Sequence, residues 1–458
     1  MRTELGSPAI ELGSAHPRRE VTSLGADVRE RVLRAARPLA VGTVTELVGL
    51  HLEVRGLPAA AGDLVEVRTA SGPLLAEVAA LRDGAAVCLP LGTTTGVRVG
   101  DHVRATGGPL RIRVGDALRG RVLDGLGRPI DGGPDLATLP GLEPVSTELS
   151  APDALTRPRI TQPLGLGVRA LDSLVPAGRG QRLGIMAGSG VGKSSLLSMI
   201  ARGTDAEVNV IALVGERGRE VREFIDGDLG PEGLARSVVV VATSDAPAVE
   251  RLRAAFTATR IAEWFRDSGR DVLLMMDSLT RVAMAQREIG LSSGEPPATR
   301  GYPPSVFGLM PLLLERAGTA ACGSITGLYT VLVEGDDLQD PIGDTARSIL
   351  DGHVVLSRDL ATAGHFPAID VLESISRVHR AVTTLDQQAD ATRLRRMLAA
   401  HRSVRELVEI GAYVGGADEH ADAALARLPR IQAFLQQGMD ELTPPAETWD
   451  RLAALVAP

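Results

Sequence analysis

One glycine-rich segment constrains the fold of this chain more than any other feature of its 458 residues. The apolar run 183–187 leads directly into the sequence GSGVGKS, and a second apolar run follows it. Glycines let successive backbone N–H groups point at one anion, and the positive end of a following helix adds to the attraction. The order of strand, loop, lysine, serine and helix is that of a Walker A phosphate loop. The segment therefore predicts an α/β domain that binds a nucleotide.

The phosphate loop supplies most of the candidate nucleotide-binding residues. They are Gly188, Ser189, Gly190, Val191, Gly192, Lys193, Ser194 and Ser195. Lys193 is expected to reach the β- and γ-phosphates, and the hydroxyl of Ser194 is expected to bind Mg²⁺. Ala187 stands where the general motif has its first glycine, so a glycine-rich turn without a ligand is the alternative. The ordered succession of strand, loop, lysine, serine and helix favours phosphate binding.

Two further apolar runs lead into acidic residues that suit the same chemistry. The run 272–277 ends in Asp277, which is predicted to hold Mg²⁺ as a Walker B acid. The run 210–214 leads into Glu216, and open α/β sheets bind ligands at the carboxyl ends of their strands. Glu216 is therefore a candidate for orienting the attacking water. The alternative is that Glu216 and Arg217 are solvated surface charges, and position alone does not separate the two interpretations.

Two more candidates lie late in the same part of the chain. Arg377 is a candidate arginine finger, a guanidinium that stabilises charge on the γ-phosphate in the transition state. Phe366 is a candidate for stacking on adenine. Without further information, a structural or surface arginine and a core phenylalanine are the more ordinary interpretations of these two residues.

The hydrophobic patterns divide the chain into four parts. Residues 1–24 are predicted to be a flexible tail, and 25–107 a helix followed by a small β-barrel. Residues 108–383 are predicted to form a RecA-like P-loop domain with a mainly parallel sheet, and 384–458 a helical domain. The short helix over 25–36 either packs on its own domain or docks a partner.

Local periodicity places individual elements. The expected barrel strands are 41–47, 51–55, 64–68, 75–80, 86–89 and 102–105. The expected strands of the central sheet are 183–187, 208–214, 238–242, 272–277 and 324–333. A helix is predicted over 248–267, with Asp245 capping its start and Gly269 ending it. C-terminal helices are predicted over 386–407 and 421–437.

Composition limits the partners and the compartment. The formal net charge is −8 and aromatic residues make up 2% of the chain, so a basic surface and stacking platforms for bases are both scarce. No nucleic-acid partner is expected. The two cysteines, Cys88 and Cys322, suit a reducing compartment. No apolar run approaches the roughly 20 residues that span a bilayer, and no signal-peptide pattern is present, so a cytoplasmic protein is expected.

Longer motifs carry a family resemblance over about residues 25–440. They are RVLDGLGRPIDG, AGSGVGKSSLL, ALVGERGREVREF, LLMMDSLTRVAMAQREIGL, GEPPATRGYPPSVF, GSITGLYTVLVEGDD, ILDGHVVLSR and FPAIDVLESISRV. Together they resemble the hexameric ATPases related to the catalytic subunit of rotary ATP synthase. Within that group, the chain is most similar to the ATPases of flagellar and type III protein export, which often have alanine at the position of Ala187.

The resemblance implies roles for the candidate residues. Lys193, Glu216 and Arg217 would act in the catalytic site, and Arg377 would act on nucleotide held by the adjacent subunit. Phe366 replaces the tyrosine that usually stacks on adenine in this family. The implied partners are other copies of the chain in a homohexameric ring, a central stalk protein, a peripheral regulator, and export substrates with their chaperones. Contact with the membrane would be made only through the export complex, at its cytoplasmic face.

Several alternatives remain open. The catalytic subunit of rotary ATP synthase carries an acidic loop in its C-terminal helices, whereas the comparable stretch 393–405 is basic here. An RNA-translocating hexamer is disfavoured by the acidic charge and the few aromatic residues. A nucleotide-binding scaffold is disfavoured by the intact set of candidate catalytic residues. Virulence-type III secretion uses closely similar ATPases, and the segments 339–342 and 363–365 favour flagellar export by a small margin.

Overall fold

The computed structural model describes residues 40–333 and 340–457. The tail and the helix predicted over 1–36 lie outside the described residues. The described chain contains an N-terminal β-barrel, a central domain built on a mainly parallel sheet, and a C-terminal group of helices. The predicted fold class is thereby confirmed.

The N-terminal barrel closes because its first and last strands pair with each other. Its strands are β1 (Val41–Val48), β2 (His51–Arg55), β3 (Asp63–Thr69), β4 (Gly72–Arg82), β5 (Ala85–Pro90) and β6 (His102–Pro109). Their order around the barrel is β1-β2-β5-β4-β3-β6. Alternate side chains such as Leu52, Val54, Val65 and Val67 point inward and are buried, as in any small closed barrel. Each predicted barrel segment forms a strand.

The remaining strands build the central domain. They are β7 (Arg111–Val114), β8 (Val122–Asp124), β9 (Glu143–Ser146), β10 (Pro163–Leu164), β11 (Ala177–Gly178), β12 (Arg182–Ala187), β13 (Val208–Val214), β14 (Ser237–Ala242), β15 (Asp271–Asp277), β16 (Gly318–Thr319), β17 (Ser324–Leu332), β18 (Gly352–Leu356) and β19 (Ile369–Ser376). The main sheet has the order β19-β18-β12-β17-β15-β13-β14-β8. Its neighbouring strands are parallel, except that β19 is antiparallel to β18. β13 and β14 are buried along their whole length, which explains their uninterrupted apolar sequences.

Helices cover both faces of the main sheet. They are α1 (Arg169–Leu174), α2 (Lys193–Gly203), α3 (Gly218–Glu223), α4 (Gly230–Ala235), α5 (Ala248–Asp267), α6 (Leu279–Ser292), α7 (Pro304–Leu314), α8 (Pro341–Ile349), α9 (Arg358–Thr362), α10 (His379–Val382), α11 (Leu385–Glu409), α12 (Glu419–Leu435) and α13 (Pro445–Val456). One apolar core packs α5, α6 and α7 against the sheet, and a second packs α1, α2 and the C-terminal helices against the opposite face. Within 40–333 and 340–457, none of these helices has the length and apolar character needed to cross a membrane.

Helix α5 spans the predicted range but begins differently from the prediction. Its N-cap is Pro247, and no side chain caps the helix. Asp245 instead accepts a hydrogen bond from the hydroxyl of Thr243, so its predicted capping role is wrong. Asp245 lies two residues before the N-cap position, and the ring of Pro247 at that position has no atom that could accept from the first-turn N–H groups. Gly269 follows the helix with φ of 87°, as predicted for its end.

A buried arginine fixes the C-terminal helices to the central domain. Arg169 of α1 is 2% exposed. Its guanidinium donates to the Phe434 carbonyl (2.9 Å) and to the Thr443 hydroxyl (3.0 Å), and it pairs with Glu441. The backbone N–H of Arg169 donates to the Gln437 side chain at 2.9 Å. Because a buried charge is costly without such partners, the network holds the two regions together.

Candidate active site

The phosphate loop joins the carboxyl end of β12 to the start of α2. Gly190 and Gly192 have φ of 77° and 86°, a left-handed conformation that other residues rarely adopt. Ala187 is still part of β12 and pairs with Leu332 on one side and Leu356 on the other. The tight turn therefore begins after Ala187, so a side chain at that position is accommodated.

Lys193 lies between two carboxylates at the same edge of the sheet. Its Nζ is 2.5 Å from Asp277 Oδ1 and 3.2 Å from Glu216 Oε1. Asp277 ends β15, and Glu216 lies two residues beyond the end of β13. Since β12, β15 and β13 are parallel members of one sheet, their carboxyl ends converge. The structure thus brings together three residues that lie far apart in the sequence.

Burial and charge together set the protonation of this cluster. Burial alone would lower the pKa of Lys193, but the carboxylates of Asp277 and Glu216 outweigh it and raise the pKa above its usual value. Burial raises the pKa of Glu216, and the negative charge of Asp277 adds to that effect, whereas Lys193 opposes it. Asp277 is 3% exposed and accepts a hydrogen bond from the Thr330 hydroxyl at 2.8 Å. The lysine is therefore charged, and its charge stabilises the two acids.

Arg281 packs on the residue before Glu216, although the sequence analysis did not single it out. It lies in the first turn of α6, four residues after Asp277. Its side chain packs against Gly215, where an added Cβ would lie 2.8 Å from Arg281 Cβ. Among the described residues, its Nε is buried and has no hydrogen-bond partner. An arginine close behind the acid of a buried strand was the available signal, but only packing against Gly215 shows where it points.

Arg217 is placed differently from its neighbour Glu216. Its side chain is 79% exposed, and its guanidinium pairs with Glu220 at 3.4 Å. It forms the N-cap of α3 rather than joining the buried cluster around Lys193. The structure therefore does not bring Arg217 to the two carboxylates.

Phe366 lies next to the phosphate loop, at the border with the C-terminal helices. A Cβ built on Gly192 would lie 3.4 Å from two atoms of its ring. The ring is 45% exposed and lines an open cavity of about 480 Å³ whose other walls include Ala433 and Gln436. The core interpretation of Phe366 does not fit such exposure, whereas a surface for stacking on a planar ring does.

Arg377 lies at the opposite end of the sheet from the phosphate loop of its own chain. The residue before it pairs with Gly352, at the start of β18. Leu356, at the other end of β18, pairs with Ala187 beside the loop. At roughly 3.3 Å per residue, β18 alone separates the two ends by about 13 Å. Arg377 is therefore not brought to Lys193 within one chain.

Known families match the chain in three consecutive regions. Residues 44–107 match the ATP synthase alpha/beta family, beta-barrel domain, and 167–376 match its nucleotide-binding domain. Residues 383–454 match the T3SS EscN ATPase C-terminal domain. The flagellum-specific ATP synthase of Bacillus subtilis (strain 168) is 51% identical over 420 residues, which cover 91% of this chain and 94% of that protein.

Other relatives agree with this match. The type 3 secretion system ATPase of Xanthomonas euvesicatoria is 50% identical over 416 residues, covering 90% of this chain and 93% of that protein. The chain belongs to the family of flagellar and type III secretion ATPases. The assembled ATPase EscN from the type III secretion system of enteropathogenic E. coli superposes on it with a TM-score of 0.86. That pair is 47% identical, and the match covers 91% of this chain and all of EscN.

Membership of the flagellar and type III secretion ATPases confirms the activity and the family that the motifs predict. The barrel and nucleotide-binding regions are shared with ATP synthase, but the C-terminal region matches the secretion branch. This match decides between the export ATPase and the rotary synthase subunit. It also removes the alternative of an RNA-translocating hexamer.

Proposed function

We propose that the chain hydrolyses Mg²⁺·ATP at the cluster around Lys193 and uses the energy for protein export. The observation that carries this proposal is the convergence of Lys193, Glu216 and Asp277 beside the phosphate loop, with Nζ 2.5 Å and 3.2 Å from the two carboxylates. Lys193 would hold the β- and γ-phosphates. Glu216 would orient the attacking water, because its carboxylate lies 3.2 Å from the lysine that would hold the γ-phosphate.

The donors present fit Mg²⁺. Ser194, in the first turn of α2, is exposed, and Asp277 offers a buried carboxylate at the adjacent strand end. Hydroxyl and carboxylate oxygens, completed by phosphate oxygens and waters, are the ligands that Mg²⁺ prefers. Within the described part of the chain no cluster of three or more His, Cys, Asp or Glu could hold a metal alone. The ion would therefore enter together with the nucleotide and neutralise phosphate charge.

Arg281 and Phe366 complete the site in this proposal. The aliphatic part of Arg281 packs on Gly215, and its buried Nε has no hydrogen-bond partner among the described residues; its guanidinium would stabilise negative charge that develops on the γ-phosphate. The exposed ring of Phe366 would stack on adenine. It has no hydroxyl, so it contributes a face and no hydrogen bond. Arg217, which is mostly exposed, would contribute only after nucleotide or a neighbouring subunit changes its position.

The position of Arg377 supports a site shared between subunits. It cannot serve the phosphate loop of its own chain across the length of β18, so it would act on the adjacent copy. A homohexameric ring gives every copy one such neighbour. The similarity to an assembled EscN structure supports this arrangement, and an EscN complex with the central stalk EscO supports a stalk partner. We extend the proposal to a peripheral regulator, to export substrates with their chaperones, and to a place at the cytoplasmic face of the export apparatus.

Flagellar export is the biological setting that we propose. Sequence identity does not decide between flagellar export and virulence secretion, since a flagellar relative is 51% and a type 3 secretion relative 50% identical to the chain. The segments 339–342 and 363–365 support the flagellar branch. Deleting the gene tests this choice: loss of motility with intact virulence secretion is expected, and the reverse result would assign the chain to a virulence system.

The catalytic proposal is tested with two substitutions. Lys193→Ala is expected to abolish both turnover and high-affinity ATP binding, because the phosphates lose their cation. Glu216→Gln is expected to abolish turnover but to retain Mg²⁺-dependent binding, since the amide cannot act as a base. Steady-state phosphate release and equilibrium binding of a fluorescent ATP analogue measure the two effects. A near wild-type rate in Glu216→Gln would refute the assignment of Glu216.

A further inference from the structure

A buried glutamine, Gln181, contacts the backbone region that holds Arg377 in place. Gln181 immediately precedes β12 and is 0% exposed. Its Nε2 donates to the Asp351 carbonyl at 3.0 Å and to the Ser376 hydroxyl at 3.1 Å. Its Oε1 accepts a hydrogen bond from the Gly178 N–H at 3.0 Å. Both ends of the amide are therefore engaged, which fixes its orientation.

The two groups that accept from Gln181 both flank Arg377. The backbone N–H of Arg377 donates to the same Asp351 carbonyl at 3.0 Å. Ser376 is the residue before Arg377, and its hydroxyl also donates to the Pro176 carbonyl at 2.8 Å. The side-chain amide of Gln181 thus bonds to the end of β19, which carries Arg377. It also bonds to the Asp351 carbonyl, which accepts from the Arg377 N–H.

Arg182, the residue after Gln181, also bonds to Asp351. Both the N–H and the Nε of Arg182 donate to Asp351 Oδ2 at 3.1 Å, and Arg182 also pairs with Glu315. Arg182 begins β12, and Ala187 ends it at the phosphate loop. A single strand therefore carries the phosphate loop at one end and the support of Arg377 at the other.

We propose that Gln181 is a positioning residue for ATP hydrolysis in the adjacent subunit. It holds Ser376 and Asp351 so that the guanidinium of Arg377 meets the neighbour's γ-phosphate in the productive geometry. A displacement of about 1 Å at such a group can cost roughly 100-fold in rate. A satisfied, buried network gives the rigidity that this placement needs. The inference rests on the proposed role of Arg377 in trans.

Three variants separate positioning from simple stabilisation. Gln181→Met has a similar length and removes both donated hydrogen bonds, and Ser376→Ala removes only one of them. Ser374→Ala is the control on the same strand: Ser374 is buried whereas Ser376 is half-buried, and its hydroxyl donates to the Asp370 carbonyl and accepts from the Val355 N–H. We expect kcat to fall roughly tenfold or more in Gln181→Met and less in Ser376→Ala. KM for ATP and the affinity for nucleotide should not change. The control should lose at least as much thermal stability as Ser376→Ala but keep its kcat.

Mixed rings test whether the effect crosses the subunit boundary. Wild-type protein is co-assembled with an excess of Lys193→Ala subunits, which cannot hydrolyse ATP themselves and still offer Arg377. Adding Gln181→Met or Ser376→Ala to those subunits should lower hydrolysis by the wild-type copies, whereas adding Ser374→Ala should not. Since the wild-type sites are unaltered, a purely structural defect inside the mutated subunit would leave their rate unchanged.

The same experiment distinguishes the two ways in which the inference can fail. If subunits carrying Lys193→Ala and Arg377→Ala support as much hydrolysis as Lys193→Ala alone, Arg377 does not act in trans and the proposed function is wrong on that point. If removing Arg377 lowers the rate but neither Gln181→Met nor Ser376→Ala does, the site is shared and the positioning role is refuted. Ser376→Ala changes one hydroxyl, so it keeps the test decisive even if Gln181→Met fails to fold.

Discussion

Replacing Arg281 with methionine should separate stability from activity. Within residues 40–333 and 340–457 the Arg281 Nε is buried without a hydrogen-bond partner, and an unsatisfied buried donor costs about 1–3 kcal/mol. Methionine keeps the apolar contact with Gly215 and removes that donor. We therefore expect Arg281→Met to unfold with a free energy equal to the wild type or higher by up to about 2 kcal/mol.

The activity of the same variant should fall. The aliphatic part of Arg281 packs on Gly215, the residue before Glu216, and in the proposed mechanism a single donor that stabilises transition-state charge contributes roughly 100-fold or more to kcat. A 100-fold loss corresponds to about 2.7 kcal/mol of transition-state stabilisation. We thus expect one substitution to leave the fold as stable as before while slowing hydrolysis by about two orders of magnitude.

Urea denaturation and steady-state phosphate release measure the two quantities. Arg287→Met is the matched control: it lies on the same helix, α6, and its guanidinium stacks on Tyr302 at 5.3 Å rather than pointing at Gly215. This control should lose some stability and keep most of its activity. If Arg281→Met were clearly destabilised and fully active, Arg281 would be a structural residue and its assignment to the site would be wrong.

Two further outcomes follow from buried charges outside the catalytic cluster. Arg169→Met should destabilise the attachment of the C-terminal helices by about 1–3 kcal/mol, because the Phe434 carbonyl and the Thr443 hydroxyl lose their buried donor; hydrogen exchange should then show faster opening of α12 and α13, and unchanged protection would contradict this role. Burial raises the pKa of Asp172 from 3.8 to about 7, so the folded state favours its neutral form. Its contribution is therefore complete below about pH 4 and is lost as the pH rises to about 7. Asp172→Asn should flatten this decline in the free energy of unfolding, and a slope that persists in urea titrations across that range would show that other groups cause it.

The sequence predicted the elements whose signals are local. The strands of the central sheet were recognisable because burial on both faces leaves only apolar residues in them. The phosphate loop was recognisable because its backbone conformation depends on glycine. The predicted cap of α5 is wrong, since Pro247 and not Asp245 takes the N-cap position.

Features that depend on distant contacts were not predictable in the same way. The distance of Arg377 from its own phosphate loop follows from the antiparallel pairing of β19 with β18, and no local pattern reveals that direction. The carbonyl of Phe434 that accepts from Arg169 lies 265 residues further along the chain. Arg281 has an ordinary helical sequence around it, and only its packing against Gly215 identifies it. In each case the information lies in the tertiary arrangement of elements.

The cavity beside Phe366 has walls from two regions, and this has a mechanical consequence. Phe366 belongs to the central domain, whereas Ala433 and Gln436 lie in or next to the C-terminal helix α12, so a base bound there as we propose would contact both regions. Helix α11 has 25 residues and is therefore about 37 Å long at roughly 1.5 Å per residue. A turn of about 5° where it meets the central domain would move its far end by about 3 Å over that length. Exchange of nucleotide at the base would thus become a displacement on the outside of the molecule, large enough to be transmitted to a bound protein.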